Sequence, residues 1–184
     1  RPGGGGGDVA DTRIVSIIGR KNAGKTTLTV ALAAEYVRRG HRVMTLKHGH
    51  HPADVDRVNS DTWRHFHEGH AERTMIAGPE LRVLFERTPD DYDPIGLARR
   101  YMDGADIVLA EGFHRAPLPR IEVYRKGVGP GPLLDAAGAD AERWRAVVTD
   151  DPDYRPECQV LRFQDTMWLQ LLANVAWDGA LVLA

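Results

Sequence analysis

The segment GRKNAGKTT, which starts at Gly19, directly overlaps the end of an apolar run, RIVSIIG at 13–19. It fits G-x-x-x-x-G-K-[ST] in full, and a glycine-rich loop between a strand and a helix is built to hold phosphates. Each residue type has a physical task. Gly19 and Gly24 let the backbone bend around an anion. The N–H groups from Asn22 through Ala23, Gly24 and Lys25 to Thr26 point inward at the head of a helix, where the dipole favours negative charge. Lys25 reaches the β- and γ-phosphates, and the Thr26 hydroxyl ligates magnesium. Thr27, next along, belongs to the same nucleotide-contacting set. The competing reading is a glycine turn followed by an exposed lysine.

The rest of the chain alternates strands and helices. A helix from Lys25 ends at RRG, with cations in its last turn and Gly40 as its stop. HRVMTLKH at 41–48 is a second strand, so the first 48 residues predict a right-handed parallel crossover. DTWRHFHEGH is a helix. ERTMIAG and LRVLFER flank Gly78-Pro79 and predict two strands joined by a turn. DPIGLARRYMD is a helix, ADIVLAEG a strongly apolar strand, and RIEVYRK and RAVVTDD are later strands separated by a loop, GVGPGP. DTMWLQLLANVAW closes the chain as an apolar helix. The expected architecture is an α/β fold of the P-loop NTPase type: three layers, α/β/α, around a mostly parallel sheet. The ERTMIAG/LRVLFER pair is expected to run antiparallel to part of that sheet.

With 184 residues, one domain is expected over 13–184. Residues 1–12 include five consecutive glycines, which bury little and cost much entropy to order, so they read as a flexible leader. The net charge of −2 lacks the footprint of a general nucleic-acid binder. No apolar stretch approaches a membrane span of about 20 residues. The single cysteine, Cys158, fits a reducing cytoplasm.

A phosphate loop needs an acid to complete the magnesium shell. Asp106 and Glu111 stand at opposite ends of one strand, roughly 16 Å apart at about 3.3 Å per residue. Only the C-terminal end of a parallel strand faces the ligand crevice, which selects Glu111 and leaves Asp106 to open the strand at the far edge. Lys25 and Glu111 are therefore the expected catalytic pair. KHGHHPADVD, after the second strand, emerges on the same side. Lys47 is positioned for an anion of the nucleotide or of a second substrate. His48, His50 and His51 are either polar loop residues or a transition-metal cluster. Asp54 and Asp56 read either as holders of magnesium-bound water or as solvated acids in a turn. Arg64 reads equally as a phosphate contact or a surface cation. Asp150, at the end of VVTDD, is placed to accept from guanine N1–H and N2–H, or simply to cap the turn before Pro152. No Asn-Lys-x-Asp guanine motif is present.

Taken together and in order, GRKNAGKTT, LKHGHHPADVD, SDTWRHFHEGHA, DIVLAEGF, PRIEVYR and VVTDDP resemble the molybdopterin-guanine dinucleotide biosynthesis protein B family, from about Arg13 to Asp151. The phosphate loop alone is widely shared; KHGHH…DVD together with EGF is far more specific. The resemblance implies a GTP- and Mg2+-binding protein with feeble GTPase activity, forming a homodimer. It implies work beside the guanylyltransferase that joins GMP to molybdopterin. Gly19, Gly24, Lys25 and Thr26 match the family's phosphate loop. Lys47, His48, His50, His51, Asp54 and Asp56 match its second motif, Asp61 the acid of its third, and Glu111 and Gly112 its acidic strand end. Two departures stand out: Val58-Asn59-Ser60 replaces the usual Pro-Gly-Lys, and Ala53 replaces a larger apolar residue.

Three functions compete: a GTP-binding adaptor, a metallochaperone GTPase using His48–His51, and a small-molecule kinase. A kinase usually closes mobile arginines over the phosphates. Arg99-Arg100 instead lies on an expected helix, and no long lid segment is evident.

Overall fold

Alternation along the first apolar run divides its side chains between two faces of a sheet. In strand β1 (Thr12–Gly19), Val15 and Ile17 point one way and Ile14, Ser16 and Ile18 the other, all of them buried. The computed structural model describes residues 11–49, 56–88 and 93–183. The chain divides into two compact units, one formed by residues 1–48 and 93–184, the other by 49–92.

In the first unit, β1 is followed by helix α1 (Lys25–Arg38) and strand β2 (Val43–Lys47). Helix α1 ends where the N–H groups of Arg39, Gly40 and His41 turn back onto the carbonyls of Glu35, Val37 and Tyr36. Later come helix α3 (Pro94–Tyr101), strands β5 (Ile107–Glu111), β6 (Arg120–Tyr124), β7 (Trp144–Thr149) and β8 (Gln159–Arg162), helix α4 (Trp168–Asp178) and strand β9 (Leu181–Leu183). Helix α3 starts where Asp93 accepts from the Ile95 N–H, with Pro94 in the first turn.

The sheet has seven strands in the order β2-β5-β1-β6-β7-β8, with β9 also on β1. Every pairing along the main path is parallel. All six C-terminal strand ends therefore lie along one edge, as a P-loop NTPase-type fold requires. The exception, β9, runs antiparallel beside Thr12–Ile14, whereas β6 pairs with β1 only from Ser16 on. A three-residue strand thus covers the N-terminal half of β1 that β6 leaves open. Neither β8 nor β9 stood out in the sequence, being four and three residues long without clear alternation.

The face carrying Val15 and Ile17 also carries Ile107, Leu109, Ile121, Val123, Ala146 and Val148. It is covered by Leu28, Leu32 and Tyr36 of α1 and by Leu172, Ala173 and Ala176 of α4. Each fully buried aliphatic side chain there contributes about 1.5–3 kcal/mol. The two helices are also tied by polar contacts. Tyr36 Oη donates to the Ala173 carbonyl (2.7 Å), and Arg39 donates to Gln170 O and Asn174 Oδ1. On the opposite face, Ile18, Trp144 and Val147 pack with Tyr124, Leu133, Leu134, Ala137, Tyr154 and Cys158. Glu122, in the middle of β6, is fully buried there and accepts from Leu133 N, Leu134 N and Trp144 Nε1. Burial raises its carboxyl above the usual carboxylate range, against the pull of these three donors.

The second unit holds helix α2 (Asp61–His67) and strands β3 (Arg73–Ala77) and β4 (Arg82–Glu86). The strands pair with each other, antiparallel, in a two-stranded sheet of their own rather than beside strands of the large one. Their turn closes with Gly78 N donating to Leu81 O. Ser60 caps α2 by accepting from Trp63 N, and Phe66 packs near Phe85 with the Arg87 guanidinium over its ring.

Candidate nucleotide-binding site

The period of two that buries Ile107 and Leu109 under α1 also places Glu111 on the α1 face of β5, two residues further on. The parallel register sets it level with Ile17 of β1 and Lys47 of β2. Helix α1 begins at Lys25, so its first turn stands over this end of the strand. Thr26 Oγ1 donates to Glu111 Oε1 at 2.8 Å. Lys47 Nζ lies 3.4 Å from the same oxygen. Glu111 is 7% exposed and thus held almost wholly by protein groups. Asp106 is at the other end of β5, where it accepts from the Arg42 N–H.

The loop between β1 and α1 turns through Asn22, at φ 65°, and Gly24, at φ 103°. Ala23 is buried in the α1-side core, and its N–H closes a turn onto Arg20 O. Gly24 leads into the helix with its carbonyl accepting from Leu28 N. Lys25 Nζ donates to the carbonyls of Gly19 (3.1 Å) and Arg20 (3.0 Å), folding the ammonium over the loop. Burial lowers the Lys25 pKa; Glu111 opposes that shift and Lys47 adds to it. Thr27 is exposed on the first turn of α1. Arg20 Nε donates to Gly131 O, joining the loop to the glycine-rich segment after β6.

A cleft of about 320 Å³ opens from this cluster between α1 and β2, lined by Thr26, Thr29, Val30, Ala33, Thr45, Leu46, Lys47 and Glu111. Its polar end offers a hydroxyl and a carboxylate oxygen, hard donors that suit Mg2+ rather than a softer metal. The donor set therefore fits the ion that the phosphate-loop pattern calls for.

Other sequence-selected residues have different surroundings. Lys47 meets a protein carboxylate. The β2–β5 register brings the two together, and strand order is not written in local sequence. His48 donates its backbone N–H to Glu111 O, and its ring lies 5.5 Å from Phe113. His50, His51, Ala53 and Asp54 lie outside the described residues, as does the leader through residue 10. Among the described residues no group of three His, Cys, Asp or Glu side chains is arranged to hold a metal. In the second unit, Asp56 accepts from Ser60 Oγ, and hydrogen bonds from Thr62 and Ser60 hold its carboxyl below its ordinary value. Asp61 opens α2, and Arg64 pairs with Glu68 one helical turn on. At the end of β7, Asp150 accepts from Lys126 N (2.8 Å) and Arg125 Nη1 (3.4 Å), while Lys126 Nζ reaches Asp151. Sequence reading missed Glu122 and the Arg20–Gly131 contact. A glutamate between two apolar strand residues, Ile121 and Val123, was the one available signal for the former.

A parallel sheet with a glycine-rich loop at the end of its central strand, leading straight into a helix, defines an α/β fold of the P-loop NTPase type. Solved structures agree on that fold. A MobB protein homolog from Bacillus stearothermophilus superposes with a TM-score of 0.62 at 23% identity, covering 90% of this chain and 98% of the other. Bacillus subtilis MobB gives 0.66 at 19% identity, covering 89% and 97%. The chain belongs to the family described as molybdopterin guanine dinucleotide synthesis protein B, whose model matches residues 14–150. It is similar to the molybdopterin-guanine dinucleotide biosynthesis adapter protein of Haemophilus influenzae, 33% identical over 124 residues, 66% of this chain and 69% of that protein. It is also similar to the adapter protein of Escherichia coli, 35% identical over 113 residues, 59% of this chain and 63% of that one. Among the described residues no helix is long and apolar enough to cross a membrane.

Proposed function

We propose that this protein is a cytoplasmic GTP-binding adapter in the formation of molybdopterin guanine dinucleotide, with weak GTPase activity. The observation that carries the reading is the Thr26–Glu111 pair, a hydroxyl and a nearly buried carboxylate 2.8 Å apart at the mouth of the phosphate loop. The backbone N–H groups around Asn22–Thr27 bind the nucleotide's phosphates, and Lys25 moves its ammonium from the loop carbonyls onto them. Thr26 and Glu111 would hold magnesium, with Asp54 as a further candidate. When bound, the ion would offset the negative charge of the phosphates. Asp150 orients the guanine through its partly exposed carboxylate, whose Oδ1 is anchored by the Lys126 N–H. Lys47 and His50 complete the ligand contacts. The partners are the guanylyltransferase and molybdopterin, and the protein works as a homodimer.

The test is a binding titration of GTP against ATP, with and without molybdopterin. GTP is expected to bind more tightly than ATP. Lys25→Ala is expected to abolish nucleotide binding; unchanged GTP affinity in that variant would refute the assignment.

A further inference from the structure

Two groups converge on a single oxygen at this site. Thr26 Oγ1 and Lys47 Nζ both address Glu111 Oε1, at 2.8 and 3.4 Å. The Glu111 side chain is 9% exposed, so its charge needs a nearby cation in place of lost water. Lys25 is the other ammonium at the site, and its Nζ is spent on the Gly19 and Arg20 carbonyls. The neighbouring strand therefore supplies the direct partner, because the β2–β5 register sets Lys47 level with Glu111. The Lys47 side chain is 64% exposed, so its head can leave the carboxylate for solvent or a bound anion at little desolvation cost.

A divalent ion held by Thr26 and Glu111 would use the oxygen that Lys47 faces. An ammonium and a doubly charged ion cannot both sit against it without strong repulsion. We propose that Lys47 is a resident counter-cation for Glu111, holding the carboxylate against Thr26 and competing with the divalent ion for Oε1, so that it sets how tightly that ion binds. This rests on the magnesium–nucleotide reading above. Lys47 acts here as a positioning residue: it works through Glu111.

Competition makes a signed prediction. Full-length protein without nucleotide is titrated with Mn2+, and free Mn2+ is followed by its paramagnetic resonance signal. Lys47→Met is expected to bind Mn2+ about tenfold more tightly than the unaltered protein. Lys47→Arg, which keeps the charge, is expected to stay within about twofold of it. Glu111→Gln added to Lys47→Met is expected to remove the tight site. If Lys47→Met binds Mn2+ no more tightly than the unaltered protein, including no detectable binding by either, the proposal is overturned. A gain shared equally by Lys47→Arg overturns it as well. GTP titration of Lys25→Ala separates the two readings. Lost GTP binding there, with no Mn2+ gain in Lys47→Met, sinks the counter-cation alone. Intact GTP binding sinks the nucleotide reading, whatever Mn2+ does.

Discussion

Gly19 and Gly24 both stand at positive φ (153° and 103°) at the two ends of the β1–α1 loop, and at Gly19 a close approach is added. A Cβ on Gly19 would stand 2.5 Å from the Val123 carbonyl oxygen, a backbone atom of the adjacent strand that cannot rotate away. A Cβ on Gly24 would meet nothing nearer than 3.9 Å, so there the demand is conformational, at φ 103°. Gly19→Ala is accordingly expected to cost at least about 2 kcal/mol, because the loop or β6 must shift. Gly24→Ala is expected to cost about 1–2 kcal/mol of left-handed strain. Urea denaturation of the two variants checks the order. Equal or reversed losses would mean that the close approach of the loop to β6 does not govern the site.

At the scale of elements, the end of α1 is held by charge as well as by packing. Glu35 accepts from Arg38 and Arg39, and Arg39 continues to Gln170 and Asn174 of α4. Hydrogen bonds from Arg38 and then Arg39 pull the Glu35 carboxyl from 4.5 down to about 2. A folded-state pKa below the unfolded one adds stability that is complete above the unfolded value and is lost as pH falls through the folded one. Glu35 therefore contributes to an acid loss of stability between about pH 4.5 and pH 2. Thermal midpoints of Glu35→Gln are expected to fall less steeply across that window than those of the unaltered protein. An equal slope would show that the Arg39 bridge between α1 and α4 is not coupled to this proton.

For the whole molecule, the cleft beside Thr26 and Glu111 bears on turnover. Its described lining includes one cation, Lys47, and no arginine or glutamine, the side chains that stabilise charge or orient water in efficient GTP hydrolysis. Hydrolysis by the protein alone is expected to be slow. Single-turnover phosphate release matching that of an activated GTPase, measured without a partner, would contradict this. How far such a site can be read in advance differs by residue. GRKNAGKT announces the loop because phosphate geometry demands those residues at that spacing, and Glu111 stands at the crevice edge because it is the C-terminal residue of IVLAE in a parallel strand. The separate sheet of β3 and β4, the short strands β8 and β9, and the burial of Glu122 were not legible, because each depends on which distant segments become neighbours. By itself, then, the sequence determined the parallel α/β alternation, the phosphate loop and the end of β5 at which the acid stands, since these follow from periodicity and local backbone demands. Only the tertiary structure decided that β2 lies beside β5 and that Lys47 and Thr26 meet at one oxygen of Glu111. Strand order and register come from the packing of the whole sheet, which no local stretch encodes.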